Sequence, residues 1–205
     1  LMNSCNPLFI TVGQTLGKEK FVEYFEAFGF TEKTGIDLPA ESAPVAGVTY
    51  HALDRMGIVE LSSSSFGQSF QVTPIQMITA ISCLANGGKL MTPYLVAKQL
   101  DQKGNIISET KPVIRRQVVS EETANTVAEM MEAVVSTGTG KNAYVAGYRV
   151  AGKTGTAEQI SSRAIALVMA LLILMSSAVW TNAADVAAVE KLTAKSISAD
   201  GVALS

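Results

Sequence analysis

The 205-residue sequence predicts a mixed α/β fold in which amphipathic helices alternate with extended segments. Aromatic side chains recur at helical spacing across residues 18–30, which is typical of a helix with one buried face. Two extended segments, 89–100 and 106–119, flank the turn-forming residues 101–105, as in a strand, a tight turn and a returning strand. Residues 143–158 form another extended segment, and its glycines suit places where backbones pass closely.

Two helices are predicted near the start of the sequence. Residues 7–17 are largely apolar and follow Ser4 and Asn6, so the sequence around Ser4 can be explained as an ordinary helix cap. Residues 18–30 form the second helix, and Gly29 is placed to end it. The expected buried face of this second helix comprises Phe21, Tyr24, Phe25 and Phe28.

Two further helices are predicted from their capping residues. Thr73 can cap a helix whose first turn holds Pro74, and Ser120 can cap another with acidic residues in its first turn. The expected apolar stripe of the Thr73 helix comprises Ile75, Ile78 and Ile81. The expected stripe of the Ser120 helix comprises Val127, Met130, Met131 and Val134.

Composition limits the possible chemistry. The chain is 48% apolar with a net charge of −2, which argues against a basic surface for nucleic acid. It has two cysteines, Cys5 and Cys83, and one histidine, His51, so neither a metal site nor a cofactor is predicted. With a single histidine, the nucleophilic scheme that the composition favours is a lysine-assisted serine.

The character of the sequence changes after Ile160, which predicts two parts, 1–160 and 161–205. Residues 164–180 contain no charge, follow Arg163 and precede small polar residues, as in a secretory signal. A membrane anchor is an alternative, although a span usually needs about 20 apolar residues. A buried core helix is a third interpretation of the same segment.

Residues Lys153–Thr156 have the sequence K-T-G-T at the end of an extended segment. An ammonium, two hydroxyls and free backbone amides can together hold a carboxylate and stabilise an oxyanion. Gly155 leaves the edge of such a strand open to a ligand, since it has no side chain. The alternative is a glycine-containing turn with a solvated lysine.

Ser4 and Asn6 form S-x-N, which precedes K-T-G in the order found in serine-based penicillin-recognising enzymes. Ordered blocks support the comparison across residues 1–159: LMNSCNP, FGF-x-x-KTGIDL, FGQ-x-x-x-VTPIQ, GTGKNA and GYRVAGKTGTA. In these motifs the sequence resembles the transpeptidase domain of class B penicillin-binding proteins, and most closely that of the sporulation-specific type. The resemblance implies an antiparallel sheet flanked by helices with a helical lobe, here incomplete because the family's later strands and final helix are not recognised.

The resemblance also implies roles for site residues. Ser4 would relay a proton between the nucleophile and the leaving amine, and Asn6 would bond the backbone of the acyl donor. Lys153 would keep the site positive and polarise Ser4.

Substrate binding is implied for the residues that follow this lysine. Thr154 and Thr156, with Gly155 between them, would bind the terminal carboxylate of a D-Ala-D-Ala stem peptide or a β-lactam. The implied setting is the outer face of a bacterial cell membrane, with a glycosyltransferase as protein partner.

The family's nucleophile motif, S-x-x-K, is expected upstream of S-x-N. The S-x-x-K string in this sequence, Ser108–Lys111, follows S-x-N and precedes Pro112, so we interpret it as a surface loop. Three hypotheses remain open: a fragment of a D,D-transpeptidase that is inactive alone, a non-catalytic remnant that binds stem peptide or β-lactam, and an inactive truncated product.

Overall fold

The computed structural model describes residues 1–155 and the two-residue strand Ile173–Leu174. The helices are α1 (Asn6–Leu16), α2 (Lys18–Ala27), α3 (Ile58–Ser65), α4 (Pro74–Ala85) and α5 (Glu121–Ser136), with short 3-10 helices at Leu53–Arg55 and Lys141–Ala143. The strands are β1 (Lys89–Met91), β2 (Lys98–Leu100), β3 (Ile106–Glu109), β4 (Ile114–Gln117), β5 (Val150–Ala151) and β6 (Ile173–Leu174). The mixture of helix and strand agrees with the sequence prediction.

Helix α1 begins immediately after the S-x-N residues. Its N-cap is Cys5, and no side-chain hydrogen bond caps the helix. The interpretation of Ser4 as an ordinary helix cap is therefore wrong. The helix packs against α3 at Gly13, which is buried. A Cβ at position 13 would lie 1.8 Å from Ser65 Oγ, which shows how closely the two helix backbones approach. This contact fixes the position of the residues that precede α1.

Helix α2 carries the predicted aromatic face, with one exception. Phe25 lies at the centre of a ring cluster, with centroids 5.0 Å from Phe30 and 5.2 Å from Phe70. Phe21 packs against the core formed with Met56 and other buried residues. Tyr24 is exposed rather than buried, because the buried face is completed by Val22 instead.

Helix α4 begins as predicted, at a capping box. The Gln76 N–H donates to Thr73 Oγ1 at 3.3 Å, and the Gln76 side chain accepts from the Thr73 N–H at 2.9 Å. The apolar stripe is rotated from the expected one, since Ile78 is exposed and Cys83 is fully buried. Polar Gln76 faces inward because its amide also donates to the Glu32 carbonyl at 2.9 Å, a tertiary contact that helical periodicity does not reveal.

The predicted strand at 89–100 is divided into β1 and β2. Pro93 lies between them, and the amides of Leu95 and Val96 donate to the Asp37 carboxylate at 2.7 and 2.9 Å instead of a strand. The returning segment divides in the same way around Pro112 into β3 and β4. Strand β1 pairs with β4 and β2 pairs with β3, both antiparallel. The hairpin is therefore confirmed, but as two short two-stranded pieces.

Helix α5 forms the support for β5. Ser120 caps it as predicted, accepting from the Thr123 N–H at 3.1 Å. Its buried residues are Ala124, Ala128, Met131, Val134 and Val135, whereas Met130 of the expected stripe is exposed. Both residues of β5 are buried and pack on α5, and the Gly152 N–H donates to the Met131 carbonyl at 3.2 Å. The chain therefore leaves β5 at a fixed position, two residues before Lys153.

Strand β5 also pairs antiparallel with β6, Val150 with Leu174 and Ala151 with Ile173. Apart from that strand, the segment 164–180 lies outside the described residues, as does the rest of 161–205. The boundary at residue 160 and the signal-like or anchor-like interpretation therefore stay predictions. Within the described part of the chain, no helix combines the length and apolar character needed to cross a membrane.

Candidate active site

Ser4 lies in the short segment before α1 and adopts a backbone conformation that is unusual for serine. Its φ is +48°, in the left-handed region, which costs a residue with a Cβ some free energy. The Ser4 N–H donates to the Leu1 carbonyl at 3.0 Å, closing a tight turn. The surrounding contacts therefore hold the Ser4 hydroxyl in a direction that a relaxed extended or helical backbone would not give.

Lys153 reaches this hydroxyl from the other end of the described chain. Its Nζ donates to Ser4 Oγ at 2.8 Å, although the two residues are 149 positions apart. It also donates to the Thr154 carbonyl at 2.9 Å and lies 3.4 Å from the Thr154 hydroxyl. The predicted convergence of Ser4 and Lys153 is confirmed as geometry, while their chemical roles stay predictions.

The Lys153 ammonium is surrounded by neutral oxygen atoms. Among the described residues, no carboxylate forms an ion pair with it. Burial lowers the pKa of Lys153 below its ordinary value, because a partly desolvated ammonium is less favourable than a solvated one. The lysine therefore gives up a proton more readily than a solvated lysine, and its positive charge remains available to an anionic ligand.

The other predicted site residues differ in how they relate to the Ser4–Lys153 pair. Thr154 is part of the same hydrogen-bonded group, and Gly155 follows it as an exposed residue. A Cβ at Gly155 would meet no atom of the described residues within 4 Å, so the chain is open there. Asn6 is exposed at the first position of α1, two residues after Ser4. Thr156 lies outside the described residues, so its predicted role is not tested.

The arrangement is suited to proton transfer beside an anion-binding position. A hydroxyl that accepts from an ammonium can pass its own proton onward while it receives another from the lysine. The same ammonium, with the adjacent Thr154 hydroxyl, can bind a carboxylate by charge-assisted hydrogen bonds. Ser4, Lys153 and Thr154 therefore form a group that can combine both functions.

Sequence analysis missed the turn that connects the two halves of this group. Residues 138–143 enter the sequence analysis only as the family block GTGKNA, but Thr139 contacts both the Met2 backbone and the Thr154 side chain. The small residues in this turn were the available signal, since they permit close contacts between chain segments. The Cys5 side chain, at the middle position of S-x-N, is exposed.

Within the described residues, no hydrogen bond or ion pair joins the S-x-x-K string at Ser108–Lys111 to this group. Ser108 belongs to β3 of the exposed hairpin, where it pairs with Gln99, and Lys111 donates to the Glu109 carboxylate at 2.7 Å. Its surface position is confirmed, although only Thr110 and Lys111 lie in a loop, since Ser108 and Glu109 belong to β3. This string is therefore no candidate for a nucleophile acting with Ser4 and Lys153.

Comparison with known proteins agrees with the fold. The family model for the penicillin binding protein transpeptidase domain matches residues 1–182, so the chain belongs to this family. Among its relatives is stage V sporulation protein D of Bacillus subtilis, which is 45% identical over 161 residues, covering 78% of this chain and 24% of the relative. The chain thus spans about a quarter of the length of this relative.

Solved structures show the same relationship. The crystal structure of penicillin binding protein 3 from Mycobacterium tuberculosis complexed with aztreonam has a TM-score of 0.69 at 32% identity, covering 78% of this chain and 36% of that one. Penicillin-binding protein A from M. tuberculosis, as an imipenem acyl-enzyme complex, has a TM-score of 0.64 at 28% identity, covering 77% of this chain and 35% of that one. The predicted transpeptidase fold, with its helices and partial antiparallel sheet, is thereby confirmed.

Proposed function

We propose that the chain forms the S-x-N and K-T-G side of a D,D-transpeptidase site that acts on the D-Ala-D-Ala stem peptides of peptidoglycan. The observation that carries the proposal is the 2.8 Å hydrogen bond from Lys153 Nζ to Ser4 Oγ. It joins the two motifs, which lie 149 positions apart, into one polar group. Membership of the transpeptidase family and the β-lactam complexes of two related structures support this function.

In the proposed reaction the nucleophile is a serine from an S-x-x-K segment outside these residues. Its oxygen attacks the carbonyl carbon of the penultimate D-alanine, and the bond to the terminal D-alanine nitrogen breaks. The proton of the nucleophile passes through the Ser4 hydroxyl to the leaving amine, while Lys153 stabilises the hydroxyl as it exchanges protons. An acyl-enzyme and free D-alanine result, and an acceptor amine of a second stem peptide then takes the acyl group.

Substrate orientation in this scheme depends on the residues beside the catalytic lysine. Thr154 and Thr156, with the open chain at Gly155, would bind the carboxylate of the terminal D-alanine or of a β-lactam. Asn6 would donate to the acyl-donor backbone from the start of α1. No step in this scheme requires a metal or cofactor.

We also infer the setting from the relatives. Peptidoglycan cross-linking takes place outside the cell, so the proposed location is the outer face of a bacterial membrane. The 45% identity to stage V sporulation protein D supports a role in the cell wall made during sporulation. A glycosyltransferase that makes the glycan strands is the protein partner that this role implies.

Labelling with a fluorescent penicillin tests the proposal. The 205-residue chain alone should form no covalent adduct, whereas the same chain extended at its start by an S-x-x-K segment from a relative should label. Lys153→Met in the extended chain should slow labelling by about 100-fold or more, because the site loses its cation. Lys141→Met, the same substitution at an exposed lysine, should have little effect.

The outcomes separate the hypotheses. Labelling of the unextended chain would contradict the assignment of the nucleophile to an outside segment. An extended chain that folds but labels equally well with Lys153→Met would refute the proposed site. Saturable binding of a D-Ala-D-Ala peptide without any labelling would instead indicate the non-catalytic binding function.

A further inference from the structure

The turn Thr137–Gly140, which follows α5, is fixed firmly to that helix. The Thr137 N–H donates to the Ala133 carbonyl at 3.1 Å, and the Gly140 N–H donates to the Val134 carbonyl at 2.9 Å. Val134 is fully buried. The turn therefore has a defined position relative to the core, and any segment in contact with it is positioned too.

One side of the turn holds the segment that leads to Ser4. The Thr139 N–H donates to the Met2 carbonyl at 3.2 Å, and the Thr137 hydroxyl lies 3.3 Å from the Met2 sulfur. At Gly138 the two backbones are so close that a Cβ would lie 2.7 Å from the Met2 carbonyl oxygen. Met2 is thus held two residues before Ser4, whose left-handed backbone needs such support.

The other side of the turn contacts the K-T-G residues. The Thr139 hydroxyl lies 3.3 Å from the Thr154 hydroxyl, which in turn lies 3.4 Å from Lys153 Nζ. Thr139 thus contacts the Ser4 segment through its backbone and the Lys153 segment through its side chain. Within the described residues, its hydroxyl forms no hydrogen bond to Ser4 or Lys153.

We propose that Thr139 is a positioning residue that sets the approach of Lys153 to Ser4. The residue joins two segments that are far apart in sequence, and it does so from a turn anchored on a buried helix. Loss of its hydroxyl would release Thr154 and let the lysine side chain move away from Ser4 into solvent. The proposal rests on the proposed function only in its relevance to acyl transfer, since the positioning itself is a property of this chain.

The titration of Lys153 measures this positioning directly. Lysine labelled with carbon-13 at Cε is incorporated into the 205-residue chain, and Lys153→Arg identifies the signal in the NMR spectrum. In Thr139→Val the titration midpoint of Lys153 should rise toward its ordinary value, because water regains access to the ammonium. Thr139→Ser keeps the hydroxyl and should restore the original midpoint.

The matched control is Thr126→Val, at an exposed threonine of α5 whose hydroxyl donates to the Glu122 carbonyl within the same helix. It should leave the Lys153 midpoint unchanged. Circular dichroism shows whether each variant folds. If Thr139→Val does not fold, Thr139→Ala replaces it as the variant that lacks the hydroxyl. An unchanged midpoint on loss of the Thr139 hydroxyl would overturn the proposal, and so would a serine variant that behaves like valine.

Penicillin labelling of the extended chain is measured separately from this titration. If labelling fails but the Thr139 variants shift the Lys153 midpoint as expected, the proposed function is refuted and the positioning role stands. If labelling succeeds but the Lys153 midpoint does not move, the positioning role of Thr139 is refuted and the proposed function stands. The two ideas are therefore tested independently.

Discussion

Replacement of Gly13 by alanine should destabilise the fold by forcing α1 away from α3. The new Cβ would lie 1.8 Å from Ser65 Oγ and 2.7 Å from Ser65 Cβ. Rotation of the hydroxyl can relieve the first contact, at the cost of its 2.6 Å hydrogen bond to the Leu61 carbonyl. It cannot relieve the second, because Cβ is fixed to the α3 backbone.

The size of the effect follows from two opposing contributions. A clash with an atom fixed to the backbone is at the upper end of overpacking costs, about 3 kcal/mol. Alanine gains about 1 kcal/mol over glycine in a helix interior, which offsets part of this cost. We therefore expect Gly13→Ala to lower the free energy of unfolding by about 2 kcal/mol.

Urea denaturation followed by circular dichroism measures this change, with Val12→Ala as the control on the same helix. Val12 is exposed, so its truncation should change stability by less than about 0.5 kcal/mol. Ser65→Gly removes the clashing atoms, so combining it with Gly13→Ala should cost less than the sum of the two single changes. Additive effects, or a Gly13→Ala variant as stable as the original, would refute the close-packing argument.

Three other predictions concern the degree of burial of particular side chains. Burial raises the pKa of the Cys83 thiol to about 11, whereas Cys5 is exposed. A thiol reagent at pH 8 should therefore modify Cys5 rapidly and Cys83 only after unfolding. Rapid reaction of both cysteines would contradict the structure. Leu90→Ala should cost about 2–5 kcal/mol in urea denaturation because Leu90 is fully buried, and a loss below 1 kcal/mol would show a looser core. For Lys153, the folded state disfavours the charged form, so the penalty is present at neutral pH and disappears as pH rises toward the ordinary lysine value of 10.5. The stability of Lys153→Met relative to the original chain should therefore fall as pH rises from 7 to 10.5, and a constant difference would count against a lowered pKa.

The features that the sequence predicts best are those determined locally. The caps at Thr73 and Ser120 depend on neighbouring residues, and the structure has them as expected. The rotation of the α4 stripe could not be foreseen, because Gln76 faces inward to bond carbonyls about 44 positions away in the chain. The split of the long strand was partly visible in Pro93, but the capture of the following amides by Asp37 was not.

In the candidate site, too, local features could be predicted from the sequence and tertiary contacts could not. The motifs around Ser4 and Lys153 could be recognised, and their meeting was expected from family resemblance rather than from any local pattern. The left-handed conformation of Ser4 has no sequence signal, since serine normally avoids it. Thr139 was overlooked because its contacts are entirely tertiary, and a turn of small residues is explained equally well as a simple helix end.

The separation of 149 positions between Ser4 and Lys153 also has a consequence for biosynthesis. A ribosome adding about 5–20 residues per second needs roughly 7–30 s to travel from one to the other. During that interval the serine end of the chain must wait without its partner, while α1 to α5 can already assemble. Closing so long a loop carries an entropic cost of about 4 kcal/mol from its length alone. Within residues 1–155, this contact is thus among the last to form during translation.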